Sequence, residues 1–219
     1  MKPNATPPPD QRTLLLVAGL AAAATTAALA DDAAVTKLIA DLQSSDDAIR
    51  GATWQGAATL GAPAVKPLTS VMNHPQFEVA RSAKRALWTI VRHAARPKAG
   101  QERKAVQSEL LALLQTAPAS VRRELLWMLS EIGDPAVIAP LAALLTEADL
   151  REDARCALER IPGAKATRAL EQALHTVPEN FRPAIANSLR VRGRKVASYP
   201  SQKLTPTKPT TVVALTQPK

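Results

Sequence analysis

Apolar residues recur along this chain with a helical period and then recur again at a longer one. The segments Val121–Gly133 and Leu150–Ile161 fit one template: apolar, Arg, two variable, small or apolar, two variable, small or apolar followed by Leu, two variable, Ile. Looser copies begin at Ile49-Arg50, at Val79 and at Phe181-Arg182, so that successive starts lie 30, 42, 29 and 31 residues apart. Offsets 0, 4, 7, 8 and 11 fall within about 100° of arc on a helix, which is one apolar stripe. Small residues at offsets 4 and 7 let a neighbouring helix approach closely. Each copy therefore predicts an amphipathic second helix of a repeating pair. The first helices are predicted at Ala34–Leu42, Ala64–Met72, Val106–Leu114, Ala136–Leu145 and Ala166–Leu174, where apolar residues keep helical spacing, as in Val137, Leu141, Leu144 and Leu145.

Turn signals separate these pieces. Gly61-Ala-Pro63, Gly133-Asp-Pro135 and Pro162-Gly163 stop second helices, because Gly closes a helix C-terminus and Pro cannot continue one. Pro67 and Pro140 fall inside predicted first helices and are expected to bend them. The one long interval holds an extra stretch, His93 to Lys104, which reads as a loop. The expectation is an all-α chain: an α-α superhelix of about five helix pairs, since self-similarity at this period marks a stacked solenoid.

Helix pairs of about 30 residues with a V-R-x-x-A-x-x-A-L-x-x-I-G core resemble HEAT repeats, of the HEAT/armadillo type. The nearest variety is the short bacterial form also found in phycobilisome-lyase-like proteins. The resemblance spans about 160 of the 219 residues; Ala80 departs from the usual Arg, and Gly163 sits one place late. It implies a right-handed stack whose second helices line a concave face used to grip proteins.

Composition agrees with helices: 46% of residues are hydrophobic, mostly Ala and Leu, and 3% are aromatic. Both ends differ from the body. Residues 1–30 combine Lys2 and Arg12, an uncharged stretch from Thr13 to Ala27 and the small residues of Ala28-Leu-Ala30, which is the build of a signal peptide. Residues 194–219 hold four prolines among Thr, Lys, Ser and Gln with no apolar period, the composition of a disordered tail. The repeat domain is then 31–193. The net charge of +9 is not spread evenly: residues 31–180 carry 18 Lys/Arg and 18 Asp/Glu, whereas residues 181–219 carry eight bases and no acid. A neutral body argues against a dedicated nucleic-acid groove and leaves room for a local basic stripe.

Residues that could carry chemistry do not assemble into a known set. His74, His93 and His175 fall in separate repeats, the single Cys156 has no second cysteine, and neither a phosphate loop nor a nucleophile elbow is present. Asp46-Asp47 and Glu152-Asp153 sit near helix starts, where carboxylates cap. Cys156 is off the core stripe and reads as a surface or groove thiol.

The tryptophans stand out. Trp54, Trp88 and Trp127 lie at about 140°, 180° and 240° on their helices, away from a core stripe centred near about 30°. Arg81, Lys84, Arg85 and Arg123 share that side, and Trp with Arg is the composition of an interface hot spot. The alternative is that the rings pad the space between repeats. These seven residues form the candidate partner-binding face. The expected function is a non-enzymatic scaffold or adaptor that holds a protein or peptide in the cell envelope, periplasmic or secreted, with no cofactor, no metal and no stable membrane span after processing. The alternative is a nucleic-acid-binding HEAT-like protein, favoured by the basic–aromatic face and basic tail and opposed by the neutral body and the export signal.

Overall fold

The structure, a computed structural model, describes residues 32–201. The expected signal segment 1–30 and the tail beyond residue 201 lie outside the described residues. Among the described residues every regular element is helical: α1 (32–42), α2 (Asp47–Gly56), α3 (Val65–Val71), α4 (Phe77–Ala94), α5 (Gly100–Leu113), α6 (Ala119–Ile132), α7 (Ile138–Ala143), α8 (Arg151–Arg160), α9 (Ala164–Thr176) and α10 (Arg182–Val191). These are five helix pairs. The even-numbered helices pack consecutively, α2 on α4, α4 on α6, α6 on α8 and α8 on α10, and form one continuous layer. Odd-numbered neighbours touch as well, α3 on α5 and α7 on α9, and each odd helix from α3 onward leans on the even one after it. The fold is an all-α helical-repeat solenoid.

The template explains the core. In α4, α6 and α8 all five stripe positions are buried; for α6 these are Val121, Leu125, Met128, Leu129 and Ile132. Among the described residues no pair precedes the first, and there Ile49, at the same stripe position as Val121, is 44% exposed. The template arginine fastens turns. Arg50 is buried and donates to the carbonyl of Ser44 and to Asp47, Arg122 reaches Glu147 at 3.2 Å, and Arg182 pairs with Glu179 at 2.6 Å. Asp46 caps α2 as its position predicts, accepting from the Ala48 N–H at 2.7 Å.

Three sequence expectations need adjusting. Pro67 and Pro140 do not interrupt a helix interior. The α-helical turns begin at Val65 and Ile138, after a 3₁₀ segment (Ala62–Ala64) and a turn, so both prolines fall in the first turn. The N–H that proline lacks would find no intrahelical acceptor there. The stretch His93–Lys104 is not a long loop. α4 runs to Ala94 and α5 starts at Gly100, so most of the extra residues lengthen two helices. Arg103 closes the short turn between them by donating to the carbonyls of Ala94, Ala95 and Arg96 at 2.9–3.4 Å. Finally, residues 194–199 fold back on α9 and α10. Arg194 meets Glu171 at 2.8 Å, Tyr199 donates to Glu179 at 2.8 Å, and Arg190 donates to the carbonyls of Val196, Ser198 and Tyr199.

Candidate functional site

The seven candidate residues all lie on the layer of even-numbered helices, and the structure shows what each one touches. The rings stand at the seams between consecutive even helices. Trp88 on α4 donates its indole N–H to Glu124 on α6 at 3.3 Å, and Trp127 on α6 donates to Asp153 on α8 at 3.0 Å. Both acceptors occupy the same template position, offset 3 of the next repeat. The same carboxylates face a cation from the preceding helix: Lys84 meets Glu124 at 3.0 Å and Arg123 meets Asp153 at 3.8 Å. A guanidinium covers each ring, Arg92 over Trp88 at 5.3 Å and Arg160 over Trp127 at 5.9 Å.

The first seam differs. Offset 3 of α4 is Ser82 and offers no carboxylate, so Trp54 has no such acceptor there; instead Arg85 from α4 lies over its ring at 5.3 Å. Trp54 and Trp88 are half-buried and packed against the core, whereas Trp127 is 37% exposed. Arg81 pairs with Glu78 at 3.3 Å and lies over Phe77 at 5.9 Å, while its Nε is buried with no acceptor among the described residues.

Two recesses open beside α4. One, of about 410 Å³ between α2 and α4, is lined by Arg50, Trp54, Arg81 and Arg85 with Asp47 and Glu78. The other, of about 350 Å³ between α4 and α6, has Met72, Ala80 and Val121 against Arg81, Lys84 and Glu124. Phe77 belongs to this second recess and is 71% exposed, the largest exposure among the bulky apolar side chains described. Template offsets start at Val79, so a residue two places upstream carried no periodic signal; only its size at a helix start, after Pro75, set it apart.

Other titratable groups serve the framework. Arg155 on α8 bridges Glu152 at 2.5 Å and Glu159 at 2.9 Å and reaches Ser188 on α10 at 2.6 Å. Its hydrogen bond holds the Glu152 carboxyl below the ordinary carboxylate range, partly opposed by burial. Burial pushes the Cys156 thiol up, with Arg155 opposing, so the thiol stays protonated. The described residues contain no group of three or more His, Cys, Asp or Glu able to hold a metal ion, and no helix among them is long and apolar enough to cross a membrane.

No protein-family profile matches the chain, and no curated protein matches it significantly. Among the solved structures that match is a crystal structure of an engineered protein, 22% identical, covering 72% of this chain and 78% of its own, with a TM-score of 0.37. The assignment of a function therefore rests on the site itself.

Proposed function

We propose that this chain is a HEAT-like repeat scaffold without a catalytic step of its own, which holds a protein or peptide partner on the outer side of its even-numbered helices in the cell envelope. The observation that carries the reading is Phe77, a ring 71% exposed that lines the recess between α4 and α6. An exposed aromatic beside an arginine, here Arg81, is the side-chain composition of a binding hot spot. Against a nucleic-acid partner stands the pairing of Arg81, Lys84 and Arg123 with Glu78, Glu124 and Asp153, which sets carboxylates among the cations a phosphate backbone would use.

A photo-reactive residue placed at position 77 in cells is expected to cross-link to another protein. The same residue at Ser108, exposed on α5 in the other layer, is expected to give no such product. Equal products from both positions, or none from either, would reject the reading. The envelope assignment rests on residues 1–30 being removed on export. N-terminal sequencing of the native protein tests it, and a cytoplasmic chain that retains Met1 would refute it.

A further inference from the structure

We propose that the outer side of α4, with a recess on each flank, is a docking strip for an acidic segment of another protein that carries one bulky apolar side chain. This rests on the scaffold reading and narrows it. The charge of α4 is unlike that of its neighbours. α2, α6 and α8 each carry as many acids as bases, whereas α4 carries Arg81, Lys84, Arg85 and Arg92 against the single Glu78. These four cations recur at spacings of three, one and seven residues, which places them on one side of the helix, between about 140° and 240° when Val79 is taken as zero.

Two of them remain available. Arg85 and Arg92 are exposed, each lies over a tryptophan ring at 5.3 Å, and neither has an ion pair within 4.0 Å among the described residues, although Asp47 and Glu78 share a recess with Arg85. Stacking occupies the flat face of a guanidinium and leaves its in-plane N–H groups, the ones that grip a carboxylate in a fork. The two stacked rings fix these donors in place, so little side-chain freedom is lost when an acid arrives.

The apolar element lies next to the charged one. Phe77 stands at the mouth of the recess of about 350 Å³ floored by Met72, Ala80 and Val121, with room for one large side chain. Arg81 lines both recesses and joins them. An extended segment running along α4, where Phe77 and Arg92 lie about 22 Å apart on the axis, would place acids near Arg85 and Arg92 and an apolar residue beside Phe77.

Charge selects the occupant. The chain's own remaining segments do not fit: residues 202–219 carry Lys203, Lys208 and Lys219 and no acid, and residues 1–30 carry Lys2 and Arg12 against Asp10. A nucleic acid fits poorly, because Glu78 and Glu124 flank the strip and would face an unbroken row of phosphates, whereas a peptide can alternate acidic and neutral residues around them.

The test uses the full chain and labelled twelve-residue peptides, read by fluorescence anisotropy. One peptide is Glu-rich with a central Leu; a second replaces that Leu with Ser; a third replaces every Glu with Lys; a single-stranded oligonucleotide is the fourth probe. The Glu/Leu peptide is expected to bind about tenfold tighter or better than the other three, and to weaken as salt rises. Arg85→Glu and Arg92→Glu are each expected to weaken it about tenfold, and Phe77→Ser severalfold, with thermal unfolding near that of the parent chain. Because all three side chains are exposed, the Arg92 and Phe77 variants keep the test valid if Arg85→Glu unfolds early. Absence of binding, equal binding of the Lys peptide, or binding unaffected by all three substitutions overturns the strip. Tighter binding of the oligonucleotide overturns it in favour of a nucleic acid. Self-association abolished by Arg85→Glu overturns it in favour of a second copy of the chain. If the peptide fails while cross-linking from position 77 persists, the strip falls and the scaffold reading stands; if both fail, both fall.

Discussion

A tryptophan between two helices serves both, and this decides what its removal costs. Trp88 is half-buried, donates to Glu124 at 3.3 Å and supports Arg92; Leu87 beside it is fully buried; Trp127 is 37% exposed with one hydrogen bond to Asp153. We expect Leu87→Ala to cost about 2–5 kcal/mol, in the range for a large-to-small core change. Trp88→Ala is expected to cost less, and Trp127→Ala least. Urea unfolding of the three variants checks the order, and a Trp88→Ala cost as large as that of Leu87→Ala would make this ring part of the core. The helical angle located the stripe correctly, since all its positions in α4, α6 and α8 are buried. It could not locate the rings, because the side of a helix opposite its core meets solvent in an isolated pair but meets the next helix in a stack. The acidic residue at offset 3, Glu124 or Asp153, was the one signal present, and it reads equally well as a helix-start carboxylate. Gly133 is a second residue-scale case. A methyl group there would press on the carbonyl oxygen of Leu129 and stand 2.8 Å from Cγ2 of Val137. Gly133→Ala should therefore destabilise by about 1–3 kcal/mol, measured as a lower denaturant midpoint.

Elements are joined here by polar clamps that hydrophobic periodicity does not announce. Gln107, buried on α5, donates to Asp134 at 3.1 Å and accepts from the Asp134 N–H at 2.9 Å, while the same carboxylate accepts from the Ala136 N–H at 2.7 Å. One glutamine thus holds the turn that admits α7. Gln107→Ala leaves the Asp134 N–H without that acceptor and is expected to cost about 1–3 kcal/mol, with faster amide exchange at the start of α7 as the diagnostic. On α8 the bridge from Glu152 to Arg155 sets a pH dependence. The folded carboxyl titrates below the ordinary range, so its contribution is complete above that range and is lost as pH falls through it. The stability difference between the parent chain and Glu152→Gln should be constant near neutrality and should shrink below about pH 4. Since Glu152 is largely exposed the effect is modest, and a difference that grows on acidification would contradict the assignment. Helix positions were largely readable from the period. Helix lengths at the long interval were not, because α5 begins six residues before its first buried position, Val106, and the turn is closed by the Arg103 contacts to three carbonyls.

Across the described residues each pair supplies the surface that the next one covers, and the fifth pair departs from its predecessors at one template position. Ile90, Ile132 and Ile161 fill the final stripe position of the three central repeats and are buried. In the fifth repeat that position is Arg192, which donates to the carbonyls of Leu158, Glu159, Ile161 and Gly163 at 2.7–3.1 Å and to Thr167 Oγ1 at 3.0 Å. All these donors turn back toward the α8–α9 junction, and burial lowers its pKa. Arg192 thus replaces with hydrogen bonds the apolar contact that Ile161, one repeat earlier, makes toward Gly133. Each junction of the stack can therefore be closed in two chemistries, by an apolar plug or by one side chain that gathers the carbonyls of the preceding helix end.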